Sequence, residues 1–481
     1  MPETMETVCL LCSLGCELLI EAEDGMPTAL DYCGGCSVNE GALCAKGNYA
    51  LELLNHPLRL CEPVMQGRAV SWQDAIREVA QALSGEAPAL IVEGDVSNEE
   101  AGLLDSIARR IGPERVAVDF STHDNAIITA LASLPVARAQ TDDLEHSVCT
   151  IAVGDPFSVG PVVARRVLKA RNADHKNTLA VVAPAQNHTT RFAQSRDVPV
   201  ARLRRPTGAS LLGPVRTSLL CLLQRIALLK GENQPWAGEL RKLPPAVMEG
   251  VDTAAAGRIA QEFIKADSGV LILSTSDSVA AMLAACCVML AGKGKKLFLL
   301  NEYGNCSGIC GRFRASASVE QILHEITGGR IDTLVVLGSD LVAAYPALDV
   351  ESRLRRLKRL IAGAPFANRT TALAHVVLPL AIWLEKDGTF NGKHRQAAAA
   401  PVNGARSHGE ILEMAARLMK LELLPSQPAP PHVVEPNASL IRLVLADAAL
   451  PEPLSVPQPS PIRFADGSLT DPLSWPQALK V

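Results

Sequence analysis

The stretch V8-C-L-L-C-S-L-G-C16, followed after 27 intervening residues by C44-A-K-G47, decides how this chain is read. Cys9, Cys12 and Cys16 form a C-x2-C-x3-C run, and Cys44 adds a fourth thiol. A [4Fe–4S] cube needs four thiolates converging on one point. A tight loop can bring three of them and a distant strand end the last. The spacing predicts an electron carrier, or an enzyme wired to one. A zinc site is the competing reading, because Cys9-x2-Cys12, 20 residues and Cys33-x2-Cys36 have zinc-ribbon spacing. That reading leaves Cys16 and Cys44 without a role.

The composition is that of a globular protein. At 481 residues the chain exceeds what one hydrophobic core serves, so several domains are expected. Hydrophobic residues make up 48% and charged residues 20%, with a net charge of −5. No basic tract or aromatic-studded groove points to nucleic acid. The low aromatic share and abundant alanine suit α/β layers packed by small side chains. The start, Met1-Pro-Glu-Thr-Met-Glu-Thr7, has neither a charged-then-apolar run nor twin arginine, so no export signal is expected. The longest apolar stretch, Val279–Gly292, falls short of the roughly 20 residues a membrane span needs and reads as a buried helix. The cysteines of so long a chain are expected as reduced, metal-binding thiols in the cytoplasm.

Along the chain, residues 1–62 are cysteine-rich and glycine-punctuated. Ser71 caps an expected helix over Trp72–Leu83 that turns Trp72, Ile76, Val79 and Leu83 to one face. A strand is expected at Ala89–Glu93, and Asn98 opens a helix running to about Gly112. Strands at Val116–Asp119, Thr150–Gly154 and Thr178–Ala183 follow, with a helix at Pro161–Ala170. The pattern resumes with Gly269–Ser274, Val279–Ala291, Lys296–Asn301, Val319–Ile326, Thr333–Gly338 and Leu354–Ile361. Short β-branched runs alternating with amphipathic helices mean parallel sheets with crossover helices. Two sheets fit better than one, because residues 184–250 are less regular. The expected fold is α/β: a small [4Fe–4S] N-terminal domain at 1–62 and two doubly wound parallel-sheet domains. The first spans 63–120 and 331–424, the second 121–330. Residues 425–481 read as a proline-rich tail.

Several motifs stand in an order that resembles the molybdopterin oxidoreductase superfamily, which includes formate dehydrogenases, the B subunit of formylmethanofuran dehydrogenase and the large peripheral subunit of complex I. They are Cys44-Ala-Lys-Gly47, then Asn55-His-Pro-Leu-Arg59 with Ser71-Trp-Gln-Asp-Ala, then Ser97-Asn-Glu-Glu, then Gly154-Asp-Pro with Pro161-Val-Val-Ala-Arg-Arg. Later come Arg369-Thr-Thr-Ala-Leu-Ala-His-Val-Val-Leu-Pro379 and Glu385-Lys-Asp-Gly-Thr-Phe390 through Arg395. The likeness covers roughly residues 7–422. It implies that Lys46 sits between cluster and pterin, where its charge stabilises the reduced cluster; a solvated lysine is the plainer reading. Gly154, Asp155 and Pro156, with Gly338 and Ser339, follow apolar strands where sheets of this class bind dinucleotides; two ordinary strand–helix turns are the alternative. Gly388, Thr389 and Arg395 form a loop where a guanidinium meets a phosphate or makes a structural salt bridge.

Cys33 and Cys36 are extra to that family pattern, as buried thiols, spare ligands or a second metal site. Cys306 and Cys310 lie in a glycine-rich loop that normally faces the pterin, with buried thiols as the default reading. Cys286 and Cys287 belong to an apolar helix, and His123 to a loop.

Two departures bear on function. Catalytic members of formate type carry a cysteine or selenocysteine metal ligand after the second sheet strand, and Val116–Ser133 holds no cysteine. The sequence after Leu424 is too short and proline-rich for the β-rich domain that closes over the cofactor in those members. The expectation is an iron–sulfur electron-transfer subunit of a hetero-oligomer with other iron–sulfur or flavin subunits. The alternative is a catalytic subunit holding molybdopterin guanine dinucleotide with molybdenum or tungsten, completed by a partner.

Overall fold

The computed structural model describes residues 3–23, 26–36, 38–120, 131, 134, 136–174, 177–193, 208–230, 240, 250–274, 277–301, 304–310, 312–313, 317–390, 393–395, 397–423, 462–463 and 469–470. The chain divides into two compact units. Unit 1 comprises 1–125, 302–431 and 461–481, and unit 2 comprises 126–301 and 432–460. Residues 302–330, expected with the second α/β domain, belong to unit 1. Most of the proline-rich 425–481 segment lies outside the described residues.

Unit 1 opens with an antiparallel sheet of β1 (Glu3–Val8), β2 (Glu17–Glu23) and β3 (Met26–Tyr32), in the order β1-β2-β3. Strand β2 buries Leu18 and Ile20 completely, the period-2 alternation of a one-sided sheet. The four-residue helix α1 (Ala45–Asn48) begins directly after Cys44. The fourth thiol thus stands at a helix start rather than at the strand end expected for it.

The unit continues with β4 (Val64–Met65), β5 (Arg68–Ala69), α2 (Trp72–Leu83), β6 (Pro88–Glu93), α3 (Asn98–Ile111) and β7 (Val116–Asp119). Both helices start where the sequence supplies a cap. Ser71 accepts from the Asp74 amide at 3.1 Å. Ser97 and Glu100 form a reciprocal capping box, with amide contacts of 3.1 and 2.7 Å. Ile76, Val79 and Leu83 are buried as expected. Trp72 is only half-buried, its Nε1 donating to the Gly404 carbonyl at 3.1 Å.

Unit 2 carries a five-stranded parallel sheet of β8 (Cys149–Gly154), β9 (Thr178–Ala183), β10 (Gly208–Leu212), β11 (Gly269–Ser274) and β12 (Lys295–Leu299), ordered β10-β9-β8-β11-β12. The order reverses between β8 and β11, the switch point outside whose carboxyl ends ligands bind in such sheets. The helix Val215–Lys230 fills part of the span that looked irregular in sequence. Its Leu219, Leu220, Leu222, Leu223 and Ile226 are all buried, so it shows no single apolar stripe for periodicity to reveal. Cys286 and Cys287 lie fully buried on the helix Ser278–Ala291 in the same core. Their thiols are pushed up by burial, that of Cys286 to about 12.

Gly154 closes β8 with φ +84°, and a Cβ there would collide with the Ser274 carbonyl oxygen. Gly154→Ala is therefore expected to cost unit 2 roughly 1–3 kcal/mol, read as a lower urea midpoint with unchanged slope.

The chain returns to unit 1 through the helix Val319–Thr327, β13 (Thr333–Leu337), β14 (Arg359–Ala364), β15 (Val376–Pro379), β16 (Gly388–Phe390), β17 (Lys393–Arg395) and the helix His408–Leu418. Ile322, Leu323 and Ile326 pack in one core with Ile91 and Leu334, which is why residues 319–327 go with this unit. The seven-stranded sheet is ordered β5-β4-β15-β14-β13-β6-β7, antiparallel only at the β4–β5 edge. Its order reverses between β6 and β13. Leu354–Ile361 is not one element: Leu354 ends a helix and Arg359 begins β14. Leucines at 354, 357 and 360 mimic a helical stripe across that boundary.

Candidate functional site

The first three cysteines sit on the connection between β1 and β2, which the Cys9 amide closes by donating to the Cys16 carbonyl at 2.8 Å. Gly15, at φ +65°, allows the turn just before Cys16. Cys9, Cys12 and Cys16 are buried and Cys44 is half-buried. Burial raises the Cys9 and Cys16 thiols well above the ordinary range, and negative charge on the neighbouring cysteines, Cys44 included, raises them further. Burial also raises Cys12, against which the Lys46 charge acts. The four sulfurs therefore share one electrostatic neighbourhood, with Lys46 in reach of Cys9 and Cys12. Three buried soft donors that cannot hold their charges unaided, with half-buried Cys44 beside them, fit a cationic metal cluster.

Two supports hold this loop from later parts of unit 1. The Gly304 amide donates to the Leu10 carbonyl at 3.0 Å, and a Cβ at Gly304 would lie 2.6 Å from the Leu10 Cα. Asn39, fully buried, pairs through its amide with both the amide and the carbonyl of Glu17 at 2.9 Å and reaches the Ala42 carbonyl at 3.0 Å. Residue type alone marks neither contact.

Cys33 and Cys36 do not join the four. They are bonded to each other as a disulfide, which excludes the Cys9-Cys12-Cys33-Cys36 zinc set in this state. The Cys36 sulfur and the carboxylates of Glu6 and Glu17 lie within 4.8 Å of one another. Arg395 occupies that place, at 3.0 Å from Glu17 and 3.3 Å from Glu6. The guanidinium expected at a phosphate thus makes the structural ion pair that was the alternative.

The remaining candidates separate. Gly154, Asp155 and Pro156 lie in unit 2 at the carboxyl end of β8. Asp155 is spent locally: its carboxylate accepts from Ser158 Oγ at 2.8 Å, the Thr189 amide at 2.9 Å and Thr189 Oγ1 at 2.6 Å. Gly338 and Ser339 follow β13 in unit 1, beside Glu93 at the end of β6. The same latch recurs there, with Asp340 accepting from the Thr370 amide at 3.2 Å and its Oγ1 at 2.8 Å. Gly388 leaves room for Ser97, to whose Cβ an added methyl would come within 2.5 Å. Thr389 gives its amide and hydroxyl to Glu99 at 2.9 and 2.6 Å. Asp155, Thr389 and Arg395 thus each have partners within the protein. Ser339 Oγ differs, buried with no hydrogen-bond partner among the described residues.

Cys306 is buried and Cys310 half-buried on the five-residue helix Cys306–Cys310. His123, Ser121 and most of Val116–Ser133 lie outside the described residues.

A charged group beneath α3 was missed in sequence. The Lys386 ammonium, its side chain 1% exposed, stands 3.1 Å from Asp95 Oδ2, 3.5 Å from His408 Nδ1 and 3.9 Å from Glu100. Burial works against the Lys386 charge, but Asp95 and Glu100 outweigh it and raise the group. Burial would raise Glu100; Lys386 and His408 with the Ser97 and Gly409 amides hold it below its ordinary value. Burial, then the Lys386 charge, holds His408 below 6.5. Folding therefore expels protons that the unfolded chain keeps at His408 and Glu100, so their contributions are complete above pH of about 6.5 and about 4.3 respectively. Each is lost as pH falls through the lower folded value. The Lys386 contribution is lost only above about pH 10.4. The urea midpoint of unit 1 is expected to drop between pH 7 and pH 4, and His408→Gln is expected to remove the upper part of that drop.

A family model described as the molybdopterin oxidoreductase Fe4S4 domain matches residues 2–56, the span that holds all four cysteines and Lys46. The F420-dependent formate dehydrogenase subunit alpha of Methanocaldococcus jannaschii is 22% identical over 82% of this chain and 66% of its own length. These likenesses support the molybdopterin oxidoreductase superfamily for this chain. Other superfamily relatives are the NADPH-Fe(3+) oxidoreductase subunit alpha of Geobacter sulfurreducens, 25% identical over 85% of this chain and 55% of the relative, and a subunit of the NADH-quinone oxidoreductase of Pseudomonas putida, 22% identical over 81% and 44%. The chain thus spans about half to two thirds of the length of these curated relatives. Acetylene hydratase from Pelobacter acetylenicus has a similar fold, with a TM-score of 0.67 at 15% identity over 87% of this chain and 69% of that one. Among the described residues, no helix is long and apolar enough to cross a membrane.

Proposed function

We propose that this chain is the iron–sulfur electron-transfer subunit of a multi-subunit oxidoreductase, holding a [4Fe–4S] cluster through Cys9, Cys12, Cys16 and Cys44. The observation that carries the reading is the shared neighbourhood of four sulfurs and one lysine within the matched segment. A bound cluster supplies one-electron transfer at this place. The chain's own residues do the rest. The Cys9–Cys16 hydrogen bond and the Gly304 backbone fix the loop, burial of three thiols excludes water, and the Lys46 cation offsets ligand charge beside Cys9 and Cys12.

The absence of a cysteine from Val116–Ser133 supports a relay role over metal-centred chemistry. An electron carrier needs a donor and an acceptor, and the relatives named above are called subunits. Other iron–sulfur or flavin subunits are the partners this implies. The cysteines outside the Cys33–Cys36 pair form no disulfide, which fits a cytoplasmic setting.

A catalytic molybdenum or tungsten pterin subunit is the second reading. It is favoured by one observation: Gly154 and Gly338 stand at the strand ends where each sheet order reverses, the latter next to the unpartnered Ser339 hydroxyl. Elemental analysis of anaerobically purified complex separates the two. The relay reading expects about four iron atoms per chain and neither molybdenum nor tungsten. Either metal near one per chain defeats it, and absence of iron defeats both readings.

A further inference from the structure

The Cys33–Cys36 disulfide has no part in the four-cysteine set, and its surroundings differ from those of the other thiols. It closes the turn Cys33-Gly-Gly-Cys36, across which the Cys36 amide donates to the Cys33 carbonyl at 3.2 Å. Gly34 and Gly35 are exposed, and a Cβ at either would meet nothing within 4 Å. One flank of the bond is therefore open to an approaching chain. The two sulfurs are unequal: Cys33 is half-buried, whereas Cys36 is 9% exposed. An incoming thiolate reaches Cys33 and makes Cys36 the leaving sulfur. Closely spaced C-x-x-C pairs with one reachable sulfur are suited to exchange, and disulfides of reducing compartments are in the main transient ones.

We infer that Cys33 and Cys36 form a reversible, two-electron thiol–disulfide exchange site whose partner is a dithiol reductant of the thioredoxin class. The partner's thiolate attacks Cys33 Sγ, a mixed disulfide forms, and the Cys33–Cys36 bond breaks. Cys36 leaves as a thiolate and takes a proton. The partner's second thiol then attacks the mixed disulfide and releases Cys33. Two electrons and two protons have moved to the pair, and the partner has become a disulfide. Asn39 anchors the segment between Cys36 and Cys44 independently, through its bonds to Glu17 and Ala42. Opening the pair therefore leaves the four-cysteine loop in place.

The test uses the full chain, equilibrated with oxidised and reduced glutathione at a cytosolic ratio. It is then alkylated with or without thioredoxin, thioredoxin reductase and NADPH, and mapped by peptide mass. Alkylation of the 33–36 peptide is expected to rise from about one tenth or less to nearly full on adding the reductant, with bound iron unchanged. Cys33→Ser/Cys36→Ser is expected to lose that response while keeping its iron. Full alkylation before any reductant overturns the inference, as does resistance to the thioredoxin system. Stoichiometric zinc released with the label, or iron lost from the double variant, also overturns it by making the pair a ligand site. The same labelling on Cys44→Ser separates this inference from the cluster reading, because exchange at Cys33–Cys36 is expected to survive there.

Discussion

Cys44→Ser is expected to strip this protein of its iron and of the spin-resonance signal of the reduced state. Three of the four sulfurs lie on one short loop closed by the Cys9–Cys16 hydrogen bond, and Cys44 alone arrives from elsewhere, at the head of a short helix. Its placement depends on that helix start, where its carbonyl accepts from the Asn48 amide and side chain, each at 3.1 Å. A serine there keeps the helix start and removes only the soft donor, so the variant isolates ligation from folding. The expected fall is from about four iron atoms per chain to well under one, with circular dichroism unchanged. Full iron content with an unaltered signal would remove Cys44 from the ligand set and with it the proposed function. Lys46→Met is the companion variant, keeping the iron while changing the reduction potential.

Glu385→Ala is expected to be the most destabilising single change in unit 1. Its carboxylate is wholly buried and meets Arg59, itself 3% exposed, through both oxygens at 2.9 and 2.7 Å. It also accepts from the Ile382 and Val402 amides, both at 2.7 Å. Truncation leaves a buried guanidinium without its counter-charge and two amides without acceptors. Breaking one side of such a pair costs about 3–5 kcal/mol, which lowers the thermal midpoint by roughly 10 °C. The double change Arg59→Met/Glu385→Met removes both charges together and is expected to recover much of the loss. A midpoint for Glu385→Ala within a degree or two of wild type would show the pair to be dispensable. The residue opens one of the motifs that carry the family resemblance, Glu385-Lys-Asp-Gly-Thr-Phe390. Its contacts give it a structural reason to be there.

The contrast between cysteines and arginine explains what the sequence could disclose. Cys9, Cys12 and Cys16 are close in sequence, so their convergence follows from loop geometry, and Cys44 was found by its residue type. Helix α2 and helix α3 announce themselves by caps at Ser71 and Ser97, which are local signals. Strands β7, β9 and β11 stand where β-branched runs placed them. Arg395 stayed open between two readings because a guanidinium suits phosphate and carboxylate equally, and only the fold shows its ion pairs with Glu6 and Glu17. The Lys386, Asp95, Glu100 and His408 group was invisible for a related reason: its members are spread over more than 300 positions, and each alone reads as a surface charge. The helix Val215–Lys230 escaped because burial on all sides erases periodicity.

The backbone contact between Gly304 and Leu10, together with the hold of Arg395 on Glu6 and Glu17, ties the cysteine loop to residues that emerge from the ribosome much later. The loop therefore reaches its finished shape only after residues 304 and 395 have been made. Delivery of iron and sulfide is thereby timed to follow their synthesis, and a product terminated before them lacks the braces that a filled centre requires.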